Sequence, residues 1–136
     1  MDGGFTAVAD VSAAMLETGA AHEYRLIGGI TVMLHVQRLA VPVPLRATGD
    51  ADFGVPRHLL REPHLVDAIE RRGYRKVAGN RWERELGGTR LAAVDLLVPA
   101  YSSRPRTAFR IGDITTTEVP GLGEALRRPG ITLDVE

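Results

Sequence analysis

Three aspartates offer the most direct chemistry in this sequence. Asp50 and Asp52 flank a single alanine in RATGDADFGV, residues 46–55, and Asp95 interrupts the apolar run of RLAAVDLLVPA, residues 90–100. In an extended strand residues two apart share a face, so the Asp50 and Asp52 carboxylates stand together while Ala51, Phe53 and Val55 anchor the opposite side. The acidic face is expected to be exposed. Carboxylates about 6 to 7 Å apart at the Cα level repel at neutral pH unless a cation sits between them. Mg²⁺, and Mn²⁺ in the same role, takes oxygen ligands octahedrally and is commonly held by one or two carboxylates plus substrate phosphates. Asp95 is a charge in a strand otherwise apolar on both faces, which is rare unless the charge has a partner. If the two strands are neighbours, the trio makes a three-carboxylate site for two metal ions, suited to activating an attacking hydroxyl and stabilising a leaving pyrophosphate.

Each motif also has a plainer reading. An isolated D-x-D is commonly a solvated turn, here after Gly49, and Asp95 could be satisfied by backbone donors or an arginine. Gly28-Gly29 in LIGGITVML stands between a strand and a helix, where glycine allows close approach and free N–H groups favour phosphate. The same dipeptide also makes ordinary turns.

The elements that must position these groups alternate. Residues 5–18 read as a helix with Val8, Val11, Met15 and Leu16 on one stripe and Gly19 to stop it. EYRLIGG reads as a short strand, ITVMLHVQRLA as a helix, and the proline-rich VPVPLRAT as an extended loop before the strand DADFGV. HLLREPHLVDAIERRGY reads as a helix broken or started at Pro63 and stopped by Gly73. A hairpin with a Gly-Asn turn follows in YRKVAGNRWERELGG, then the most apolar strand, TRLAAVDLLVPA. The tail suggests two more strands around a helical turn at Gly121 to Arg128. The expected fold is α/β (α+β), a mixed β-sheet flanked by helices, in a single domain of 136 residues.

Composition narrows the chemistry further. No cysteine is present, which excludes a disulfide framework, a thiol nucleophile and a thiolate metal site. Seventeen basic residues balance seventeen acidic ones, so no global field draws the chain to a polyanion. All the basic residues but Lys76 are arginine, a pattern that fits genomic base composition. No stretch reaches the length of a membrane helix and the N-terminus lacks a basic signal region, so a cytoplasmic location is expected. His22, His35, His58 and His64 show no ligand spacing, and no zinc site is expected. Arg57, Arg61, Arg71, Arg72, Arg75, Lys76, Arg81 and Arg84 concentrate mid-chain and offer an RNA backbone contact, but interleaved glutamates favour a solvated face. Trp82 and Tyr101 are candidates for base stacking, with hairpin packing an equal reading for Trp82.

Taken in order, Gly28-Gly29, R-x-T-x-D-x-D from Arg46 to Asp52, and the lone aspartate in AAVDLLVP resemble the nucleotidyltransferase superfamily that shares its fold with DNA polymerase β. The AbiEii/AbiGii toxin-type branch is the nearest resemblance, over roughly residues 20–100. The resemblance implies Asp50 and Asp52 as the metal-binding pair and Asp95 as the third carboxylate, with Asp52 and Asp95 flanking the metal that activates the acceptor hydroxyl. It also implies phosphate contacts from Gly28 and Gly29, and loop support or phosphate contact from Arg46 and Thr48; Arg46 is equally read as a partner for Asp50 or Asp52. Ile30 stands where the family carries serine or threonine, with Thr31 next to it. The implied activity is Mg²⁺-dependent transfer of a nucleoside monophosphate from a nucleoside triphosphate to an acceptor hydroxyl. By resemblance the acceptor is the tRNA 3′ end, for a bacterial toxin held by a separate antitoxin protein. Small-molecule transfer of the aminoglycoside type, or a degenerate nucleotide- or protein-binding module, are the competing readings. Relatives of this type continue into a helical region carrying a lysine, to which nothing up to Glu136 corresponds.

Overall fold

The computed structural model describes residues 3–28 and 50–130. Helix α1, Gly3–Glu17, lays Ala7, Val8, Val11, Ala14 and Met15 into the core, an i, i+3, i+4, i+7 stripe. Leu16, expected on that stripe, is 71% exposed. At 3.6 residues per turn Leu16 falls on the far side of the helix from Ala7, Val11 and Ala14, which accounts for its exposure.

Strands β1 (Arg25–Ile27) and β2 (Asp50–Gly54) are followed by helices α2 (His58–Arg61) and α3 (His64–Glu70). The break between the two helices falls at Glu62 and Pro63, where the sequence places it. Strands β3 (Arg75–Ala78), β4 (Arg81–Gly87) and β5 (Arg90–Pro99) form an antiparallel run. Three short strands, β6 (Phe109–Ile111), β7 (Ile114–Thr116) and β8 (Glu118–Val119), precede helix α4, Leu122–Arg127. The tail thus places three strands, rather than one, before its helical turn. The expected strand after that turn, the helix over 30–40 and the proline-rich loop lie outside the described residues.

The sheet order is β1-β2-β5-β4-β3, with β8 beside the end of β5, and β6–β7 form a separate two-stranded hairpin. β5 pairs in parallel with β2 and β8 and antiparallel with β4, so the fold is α+β with a mixed sheet. Ala51 stands opposite Val94 and Phe53 opposite Leu96, and all four are buried in the core with α1. Burying side chains such as Phe53 and Leu96 contributes about 1.5–3 kcal/mol each.

Trp82 joins that face opposite Val94, is fully buried, and donates Nε1–H to Glu70 at 3.1 Å. Base stacking by Trp82 is therefore excluded, and packing accounts for it. Tyr74 donates to Asp10 at 2.7 Å, which also accepts from Arg84 at 2.7 Å, so the polar edge of the core is paired.

Candidate metal centre

Because the apolar residues of β2 and β5 must meet α1, their intervening residues are forced to the other face of the sheet; a one-residue slip would bury the charges instead. The parallel register places Asp52 opposite Asp95, and Asp50 opposite Ala93. One carboxylate oxygen from each of Asp50, Asp52 and Asp95 lies within 4.8 Å of the other two. The strand adjacency required by the sequence argument is present.

The acidic face is less open than the strand pattern suggests. Asp50 keeps 44% of its side chain in solvent, but Asp95 keeps only 17% and Asp52 is half-buried. Burial, then the charges of Asp95 and Asp50 and a hydrogen bond shared with Asp95, push Asp52 up to about 6 from the ordinary carboxylate value. Burial also raises Asp95, opposed by the Arg81 charge and by the same hydrogen bond. The two carboxyls therefore titrate as a pair that shares this hydrogen bond, with burial raising both. Each negative charge added to the trio disfavours the next, and a nearby positive charge relieves that repulsion.

One positive group is built in. Arg81, on β4 directly across from Asp95, brings Nη1 to 2.9 Å from Asp95 Oδ2 and 3.7 Å from Asp50 Oδ2. Its Nε–H donates to Glu83 at 3.1 Å. Burial opposes the charged guanidinium, but Glu83, Asp95 and Asp50 outweigh it and hold Arg81 firmly protonated. Sequence reasoning grouped Arg81 with the mid-chain arginines and did not assign it to the trio. The signal was the hairpin register, in which Arg81 faces Asp95 and Trp82 faces Val94; a register shift between Glu85 and Gly87 hides it from simple counting along the chain.

Gly28 closes β1 with φ +78, a left-handed conformation that favours glycine. A Cβ built on it would run into Asp52 Oδ2, so the bare backbone of Gly28 lies against the Asp52 carboxylate. Gly29, Thr31, Arg46 and Thr48 lie outside the described residues. The other mid-chain arginines are largely committed elsewhere: Arg57 to Glu118, Arg71 and Arg72 to Glu17, and Arg84 to Asp10. His58 and His64 face Glu23 and Glu62, away from the trio.

Three carboxylates with a glycine backbone against one of them suit a hard divalent cation, which binds oxygen and tolerates water in its remaining positions. Among the described residues no helix is long and apolar enough to cross a membrane. Comparison of the chain with protein-family models, curated proteins and solved structures finds no match.

Proposed function

We propose that this protein is a divalent-metal-dependent nucleotidyltransferase, moving a nucleoside monophosphate from a nucleoside triphosphate to an acceptor hydroxyl with release of pyrophosphate. The observation that carries the reading is the convergence of Asp50, Asp52 and Asp95 from two parallel neighbouring strands onto one sheet face, with the Gly28 backbone against Asp52. Asp50, Asp52 and Asp95 would hold Mg²⁺ or Mn²⁺. When bound, the ion supplies charge neutralisation and Lewis acidity at the phosphoryl and hydroxyl oxygens. The chain's own residues prepare for it. The rigid strand pair fixes the carboxylates, half-burial of Asp52 raises the cost of leaving them uncompensated, and Gly28 leaves room beside Asp52. By resemblance, phosphate contacts come from Gly28, Gly29, Thr31, Arg46 and Thr48. The tRNA 3′ end is then the acceptor, with a toxin–antitoxin role.

Arg81 favours a second reading. Its guanidinium already bridges Asp95 and Asp50, as expected of a degenerate domain in which an internal cation has replaced the metal. Calorimetric titration of the four ribonucleoside triphosphates, with and without Mg²⁺, into the wild type and Asp52→Asn separates the two. Metal-dependent binding lost in Asp52→Asn supports the transferase and justifies transfer assays on labelled tRNA and on an aminoglycoside. Absence of binding to all four supports the degenerate module.

A further inference from the structure

The hairpin register delivers Arg81 to the aspartate trio. Trp82 is fully buried opposite Val94, so its neighbour Arg81 must leave β4 on the other face, directly across from Asp95. β2 completes that row, with Asp52 across from Asp95 on the far side. Glu83 shares the face of Arg81 and opens the adjoining row of Glu83, Ala93 and Asp50. The arginine fork reaches both rows. Nη1 lies 2.9 Å from Asp95 and 3.7 Å from Asp50, while Nε–H donates to Glu83 at 3.1 Å. Between Glu83 and Asp50 the sheet presents only the methyl group of Ala93, which leaves room for the guanidinium among the carboxylates.

The two edges of the guanidinium are held independently. Glu83 is not one of the three converging aspartates, so Arg81 keeps an acidic partner when Nη1 lets go of Asp95 and Asp50. The Arg81 side chain is also 33% exposed, and ion pairs within reach of water are weak and readily exchanged. Release of the trio by Nη1 therefore strands no buried charge.

This arrangement acts with opposite sign on two kinds of ligand. A bare divalent cation must take carboxylate oxygen from Nη1 and then sit beside a fixed positive charge, and both steps oppose binding. A cation carried by a polyphosphate brings compensating negative charge. Its phosphate oxygens also accept from Nη1–H in place of Asp95 and Asp50, an exchange that suits the guanidinium fork. We infer that Arg81 is the specificity-determining residue of the trio, making it select a divalent cation carried by a polyphosphate over the free cation, with Nη1 passing from Asp95 to phosphate while Glu83 retains Nε. The inference rests on the metal-site reading above. It departs from the degenerate reading, in which Arg81 closes the trio to every metal.

The test compares free Mn²⁺, followed by the electron paramagnetic resonance of the aqua ion, with preformed manganese tripolyphosphate, followed by calorimetry, at pH 7.5. Wild type should bind the tripolyphosphate complex about 10-fold or more tighter than the free ion, and should not bind tripolyphosphate in EDTA. Arg81→Gln should bind free Mn²⁺ about 5-fold or more tighter than wild type and the complex about 10-fold weaker. A purely structural arginine has no means of moving the two affinities in opposite directions. Arg81→Lys keeps the charge and loses the fork, so it should leave free Mn²⁺ binding within about 2-fold of wild type and weaken the complex about 5-fold. Circular dichroism and thermal melting check that each variant is folded. Affinities that move together or not at all in the folded variants overturn the inference, as does equal binding of tripolyphosphate without metal. Binding of free Mn²⁺ by Arg81→Gln but of neither form by wild type overturns it in favour of the degenerate module. If neither form binds to wild type or to Arg81→Gln, the metal-site reading falls with it.

Discussion

The Asp52 carboxyl is pushed up by burial and by the charges of Asp95 and Asp50. Its proton is held in the folded chain up to about pH 6, whereas the unfolded chain releases it near 3.8. The folded state therefore binds more protons across that window, so stability is fully present below pH 3.8 and falls as pH rises through 6. Asp52→Asn removes this slope. We expect urea denaturation in EDTA to show the variant more stable than wild type by about 1–2 kcal/mol at pH 7.5, after allowance for solvent screening, with the gap closing at pH 4. Gly28→Ala tests the neighbouring contact. A methyl group there runs into Asp52 Oδ2, so the carboxylate must turn away. The expected result is a stability loss of about 1 kcal/mol from the positive φ, together with at least 10-fold weaker Mn²⁺ binding. The aspartates were legible in the sequence because charge in an apolar strand and strand period 2 are local signals. Arg81 was not, because its partner Asp95 lies across a hairpin whose register shifts at Glu85–Gly87.

Strand β5 is the element on which the site depends, since it alone touches β2, β4 and β8. The face shared by Asp50 and Asp52 continues to Gly54, which is covered by Leu122 of α4. A Cβ at Gly54 would stand 2.4 Å from Leu122 Cδ1, so this glycine is the seat of α4 on the acidic face. Gly54→Ala should cost about 1–3 kcal/mol by overpacking, and should cost clearly less in a Leu122→Ala background. Chemical denaturation of the four proteins of that cycle measures the coupling. Local pattern read most of these elements correctly. The α1 stripe, the Pro63 break and the alternation of β2 are properties of a few adjacent residues. The exposure of Leu16 follows from the helix period, which sets it on the far side from Val11 and which the expected stripe did not respect, whereas the choice between packing and base stacking for Trp82 depended on which face of the hairpin meets the core.

Across the whole molecule, two groups of carboxylates oppose each other in their response to pH. Hydrogen bonds from Arg106 hold Glu118 below its ordinary range, and Arg71 and Arg72 do the same for Glu17. Their stabilising effect is present above the ordinary carboxylate range and is lost as pH falls through their lowered values. Asp52 and Asp95 act in the opposite sense at higher pH. Without metal, the melting temperature should therefore pass through a maximum in mild acid and decline towards pH 7.5. Millimolar Mg²⁺ should lift the neutral side of that profile in wild type but not in Asp52→Asn. The central claim, that the trio is a divalent-metal site and not a self-sufficient ion-pair cluster, is tested most directly by Mn²⁺ titration at pH 7.5, followed by the electron paramagnetic resonance of the free aqua ion. The account predicts saturable loss of free signal in the wild type and little loss in Asp52→Asn. Equal, negligible loss in both proteins up to millimolar Mn²⁺ would contradict it and leave Arg81 as the cation of the site.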